Sequence, residues 1–249
     1  LINENRMGKY FKYAIGEILL VVIGILIALQ INNWNENRKA EAYEKTILNE
    51  IHNTLKEDIS FYNALEDRIR AKDTAIDKLL FARQKKITLP NAELIRYIKL
   101  YDNGIIFSYN IGPYEALKSS GLDKIQNDSL RFALTKYYEV TIPRAKSFID
   151  IDKEEYEDIL KAEDNRMREV GFYEDYLETA INKNGDEGFY TRRSYNLEKY
   201  LNDESFSKVL LLEAKFKTNV WLNIRGITRR TKALDSLVER ELQKRFNTN

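Results

Sequence analysis

The chain has 249 residues, 40 Lys and Arg set against 39 Asp and Glu, 43% hydrophobic residues and no cysteine. That charge balance leaves no overall field to favour nucleic acid or an acidic partner, and the lack of thiols excludes disulfides, thiolate catalysis and zinc-thiolate sites. One histidine, His52, rules out a His-based triad or a multi-histidine metal site within one chain, while only three prolines and ten glycines leave room for long helices.

Residues 14–31, AIGEILLVVIGILIALQI, read as a membrane-spanning helix. The unbroken apolar run from Ile18 to Leu29 is shorter than the roughly 20 residues a bilayer requires, so a buried core helix is the alternative. The flanks favour the span: Tyr10 and Tyr13 stand at one end and Trp34 at the other, as interface anchors do. Arg6, Lys9 and Lys12 outnumber Glu4 before the span, whereas charges in 35–45 cancel. The positive-inside rule therefore predicts a cytoplasmic basic flank at 1–13, a span at 14–34 and an extracytoplasmic domain at 35–249. No small-x-small cleavage site follows the run, so the segment reads as an uncleaved signal anchor. The chain starts at Leu1 rather than Met, and further residues are expected ahead of it.

GEILLVVIGILIALQINNWNENRK, Gly16 to Lys39, resembles the N-terminal signature of a widespread, uncharacterised family of bacterial proteins with one N-terminal span. YEALKSSGLDKIQNDSLRFALTKYY, Tyr114 to Tyr138, is similar to that family's second recurring segment. The resemblance implies single-span topology in a bacterial inner membrane, and it implies no activity, ligand or catalytic residue.

The span has a small and polar face. At 100° per residue, Gly16, Glu17, Gly24 and Ala28 share one arc with Tyr13 and Leu20, and Gly24-x-x-x-Ala28 has the spacing of a helix-contact motif. A carboxylate facing lipid costs a few kcal/mol, so the arc with Glu17 is expected to face protein, water or headgroups. Three roles stay open for Glu17: an interfacial anchor near Lys9 and Lys12, a packing carboxyl, or an intramembrane carboxylate that binds a proton or another cation.

After Trp34, apolar residues recur every three to four positions from Tyr43 to Leu80, which predicts a long amphipathic helix over about 35–86, continuous with the span. Pro90 opens a short helix ending near Asn103-Gly104; Ile105 to Ile111 reads as extended; Gly112-Pro113 opens a helix that stops at Ser120-Gly121. Asn127 caps a helix through Tyr138, Thr141 and Pro143 start another that runs to Gly171, and Asn182 to Ser194 reads as a polar loop. Asp203 caps a last helix to about Phe246. Its Val220, Ile224, Ile227, Thr231, Leu234 and Val238 keep heptad spacing, which fits packing on the first long helix or a seam between subunits.

Residues 150–178 carry a net charge of −8 and residues 225–245 a net of +4. Arg225, Arg229 and Arg230 would meet anionic lipid if the last helix returned towards the membrane, or else lie on a solvated helix face. His52 reads as a solvated helix residue. Carboxylate pairs such as Glu154 with Asp158, or Glu163 with Asp164, fall within charge-rich helices, and no Gly-rich phosphate loop is present. Phe172, Tyr173 and Tyr176 would line a ligand groove or belong to the core.

These features predict an all-α, single-span membrane protein with an extracytoplasmic helical bundle closed by a long C-terminal helix. It is expected to act as an oligomeric scaffold or sensor-like interaction module, not as an enzyme, and no cofactor or metal is implied. The expected partners are membrane lipid, further copies of the chain and an envelope or multi-span protein, but not nucleic acid. The alternative is a subunit of an ion-driven complex that uses Glu17.

Overall fold

The computed structural model describes residues 4–102, 105–196, 199 and 203–246. Among the described residues, nothing is assigned to the side chains of 4–9, 102, 151–160, 162–163, 205, 209 and 215–218. The expected helix stop at Asn103-Gly104, the side chains of Arg6 and Lys9, and those of Glu154, Asp158 and Glu163 lie outside what is described.

One helix dominates. α1 runs from Glu4 to Lys85, 82 residues or about 120 Å, with no proline to interrupt it. Its apolar start is long enough to cross a membrane, and none of that window is buried within the chain. From Glu44 onward the same helix becomes the spine of a bundle, burying Ile47, Leu48, Ile51, Leu55, Tyr62, Leu65 and Ile69. It ends at Lys86, whose φ of +52° turns the chain while the Ile87 amide bonds the Ala82 carbonyl at 2.8 Å.

α2 (Asn91–Asp102) follows Pro90, whose carbonyl accepts the Glu93 and Leu94 amides at 2.9 Å. α3 (Gly112–Ser120) has Pro113 in its first turn, where a missing N–H costs nothing, and it stops at Gly121 with φ +108°. That φ is one L side chains rarely adopt, so the corner favours glycine. The Asn127 carboxamide oxygen caps α4 (Asp128–Lys136) by accepting the Leu130 amide at 3.1 Å.

The expected break at Thr141 and Pro143 is replaced by a wide π-helical turn over Tyr137–Thr141, which leads directly into α5 (Ile142–Glu169). The Ile142 amide reaches back five residues to the Tyr137 carbonyl. The widened turn passes Pro143, which has no N–H to offer, and buries both Tyr137 and Tyr138.

The all-α expectation fails after α5. Strands β1 (Tyr173–Ile181) and β2 (Glu187–Tyr195) form an antiparallel hairpin in which Tyr173 faces Tyr195 and Ile181 faces Glu187. The segment expected to be a polar loop is thus a turn over 182–186 followed by a strand. The physical reason is visible in NKNGDE: Asn182 Oδ1 accepts the Asn184 and Asp186 amides at 2.8 and 3.0 Å, and Gly185 supplies φ +87°. The fold is mostly helical with this one two-stranded addition.

α6 (Glu204–Phe246) closes the bundle antiparallel to α1. The pairing is laddered along the whole bundle: Arg245 with Glu44, Asp235 with His52, Lys232 with Asn63, Thr228 with Glu66, Glu213 with Lys72 and Ser207 with Arg83. The heptad residues Val220, Ile224, Ile227, Thr231, Leu234 and Val238 are all buried within the chain, so this stripe packs on its own bundle. His52 is not solvated: its Nδ1 lies 2.6 Å from Asp235 Oδ1, with both side chains largely buried. Two apolar cores result, one near Ile51, Leu134 and Ile227 and a distal one near Leu79, Tyr97 and Phe206.

Candidate functional sites: the exposed apolar helix and a distal aromatic cavity

At the N-terminal end of α1 the predicted span residues stand clear of the bundle. Tyr10, Tyr13 and Trp34 are exposed, and the Arg38 guanidinium lies 5.5 Å from the Trp34 ring. A Cβ added at Gly16 or Gly24 would meet nothing within 4 Å, so among the described residues none covers the small face that also carries Glu17 and Ala28. Trp34 and Glu44, the first buried residue of the spine, are separated by about 15 Å of helix.

The basic residues of α6 are spread along that axis. Thr228 bonds Glu66 at 2.8 Å, which puts Arg225, Arg229 and Arg230, all exposed, about 45–50 Å along α1 from Trp34. Of the basic residues in this helix, Arg245 comes nearest to the base of the bundle, where it pairs with the fully buried Glu44.

At the opposite end of the bundle, α2, α5, the root of the hairpin and α6 line a partly open cavity of about 170 Å³. Gly171 makes the closure possible. With φ +68° it ends α5 in a left-handed cap, in which its own amide bonds Arg168 O and the Phe172 amide bonds Met167 O, both at 2.9 Å. The chain then turns so that Phe172 and Tyr173 enter the core, and the Asn196 amide closes the hairpin root onto Phe172 O at 2.6 Å. Phe172 packs on Phe206 with ring centroids 4.9 Å apart, Phe206 meets Tyr101 edge-on at 5.9 Å, and Tyr195 stands 6.3 Å from both Phe172 and Tyr173. Phe172 and Tyr173 belong to the distal core and also line the cavity, whereas Tyr176 is exposed on the hairpin.

Charged groups sit in the same wall, each already paired. Glu213 lies 2.9 Å from the Lys72 ammonium, with both side chains nearly buried, and Lys72 also sits 5.5 Å from the Tyr101 ring. Arg193 holds Asp175 through Nε at 2.7 Å and Nη2 at 3.2 Å, and its guanidinium lies 4.0 Å from the Tyr173 ring. Together with Arg168 at 2.8 Å, it holds the Asp175 carboxyl down to about 2. The Tyr173 hydroxyl donates to Asp164; burial and that hydrogen bond push the phenol up, so it stays protonated.

A second buried polar group lies midway along α1. Asp58 accepts the Asn110 amide and is surrounded by Tyr62, Tyr137 and Tyr138, whose phenols burial pushes up. Tyr62 stacks on Phe107 at 5.4 Å and Tyr138 on Tyr114 at 4.6 Å. The Tyr137 hydroxyl and the Thr231 hydroxyl are 2.7 Å apart.

Sequence reasoning missed Lys72, Asp58, Tyr101, Arg193, Phe206 and Glu213. Lys72 and Glu213 are so far apart in the chain that no local spacing links them. Asp164 lay in a run of acids that looked like a solvated face. Among the described residues no group of three or more His, Asp or Glu side chains could hold a metal ion.

Residues 17–163 match the DUF6090 family, described as a family of unknown function. The match takes in most of the span, the spine and the helices through most of α5; the hairpin and α6 lie beyond it. No curated protein and no solved structure matches the chain.

Proposed function

Because the chain belongs to the DUF6090 family of unknown function, we propose from its own geometry that it is a single-span, membrane-anchored oligomeric module that senses or holds a partner and has no chemistry of its own. In this reading residues 14–34 cross the bacterial inner membrane, residues 1–13 remain in the cytoplasm, and the bundle stands outside it. The observation that carries the reading is the continuity of α1: the helix that would cross the bilayer is also the spine on which both cores are built. A rigid helix transmits tilt or rotation from the distal cavity to the span without a hinge, which suits a receptor-like part better than an enzyme. The open small face at Gly16, Gly24 and Ala28 fits assembly with further copies, and Tyr10, Tyr13 and Trp34 fit the two membrane interfaces.

Purification of the full chain in detergent, with mass measurement and identification of co-purifying chains, tests this. The expected result is a homo-oligomer that Gly24→Ile weakens, because the added side chain separates the backbones. A fixed complex with a multi-span protein whose activity is lost in Glu17→Gln, with assembly intact, would instead establish the ion-driven reading.

A further inference from the structure

We propose that the distal cavity is a binding site for a neutral molecule with a single aromatic ring. This deepens the sensing half of the proposed function and rests on it.

Size comes first. About 170 Å³ is close to the volume of an apolar cavity that takes up benzene, so the space suits one six-membered ring with a small substituent. The shape of the walls agrees. Phe172 and Phe206 lie at a 32° tilt, Tyr101 meets Phe206 edge-on at 85°, and Tyr195 meets Phe172 at 67°, an arrangement in which a flat ring finds both faces and edges.

The charges decide that the ligand is neutral. Every charged side chain in the lining has its counter-charge within the wall: Glu213 with Lys72, Arg193 with Asp175, and Asp164 with Arg168 at 3.5 Å. A ligand with a net charge would have to break one of these pairs and leave a partly buried charge uncompensated. A neutral ligand leaves all of them intact.

The test uses the full chain in detergent and titrates phenol, benzene, benzoate and benzylammonium by calorimetry. Phenol is expected to bind saturably with a dissociation constant below about 1 mM. Benzene is expected to bind comparably, and the two ionic probes at least about tenfold more weakly. Tyr195→Trp and Ile98→Phe, both at lining residues, each fill the space; either one, folded by circular dichroism, should abolish phenol binding. Preference for benzoate or benzylammonium, or phenol binding that survives both filled variants, would overturn the proposal. A homo-oligomeric chain that takes up no phenol would overturn the ligand class while leaving the anchored module standing; a chain that binds phenol as a monomer would do the reverse.

Discussion

The Asp58 carboxylate accepts the backbone amide of Asn110 at 3.3 Å, across 52 residues, and so ties the irregular strap 105–111 to the spine of the bundle. The site is buried, and burial pushes the Asp58 carboxyl up to about 6; the Asn110 amide opposes that rise and Glu57 adds to it. An acid raised on folding keeps more protons in the native state than in the unfolded one between its two pKa values. Its contribution is therefore fully present at low pH and is lost as pH rises towards 6. Allowing for the water that still reaches the site, the loss is about 1–2 kcal/mol. Urea unfolding of the bundle at pH 4.5 and 7.5 checks this against Asp58→Asn, which keeps the acceptor oxygen without the charge. The variant should gain on the wild type at the higher pH, and an equal gap at both would contradict the assignment.

Lys72 and Glu213 form a pair in which each member is costly alone. Lys72→Met leaves the buried Glu213 without its counter-charge and should destabilise the bundle by about 3 kcal/mol or more. Lys72→Met combined with Glu213→Leu should recover most of that loss, since both charges are gone. The double-mutant cycle measures the coupling, and additive effects would show that the pair does not act as one.

Ile227 and Leu222 lie on the same helix with opposite fates, one fully buried and the other exposed. Ile227→Ala should cost about 2–5 kcal/mol through the cavity it leaves, and Leu222→Ala less than about 0.5 kcal/mol. Denaturant midpoints decide, and they should not vary with protein concentration. A midpoint for Ile227→Ala that does vary would move the heptad stripe to a subunit interface.

The long elements were legible in the sequence because their signals are periodic and local. Apolar spacing from Tyr43 to Leu80, the cap at Asn127, the Gly112-Pro113 start and the heptads after Val220 each act within one helix, and the structure keeps them. The hairpin was also written there, as Asn184-Gly185 between strands rich in Tyr, Thr, Phe and Ile, but the surrounding charges made it look like a loop. His52 shows a different limit. Its neighbours on α1 describe a solvated position, and only the return of α6 brings Asp235 to it. The cavity was hidden for the same reason: Tyr101, Phe206 and Lys72 have no local pattern in common, and only the turn at Gly171 brings the hairpin root against α2 and α6.

Gly171 gives that turn a direct check. Its φ of +68° disfavours any side chain, so Gly171→Ala should destabilise the distal core by about 1 kcal/mol. Hydrogen exchange should localise the loss to residues 173–195 and the start of α6. Uniform loss along α1 would contradict the role assigned to this cap.

Anchoring and orientation are tested most directly by cysteine accessibility, because the chain has no cysteine of its own. Single cysteines at Lys12, before the proposed span, and at Lys183, in the hairpin turn, occupy exposed positions on either side of it. In intact spheroplasts treated with a membrane-impermeant maleimide, Lys183→Cys should be labelled and Lys12→Cys should react only after lysis. Labelling of Lys12→Cys in intact spheroplasts, or protection of Lys183→Cys until lysis, would contradict a span at 14–34 with the bundle outside the cytoplasm.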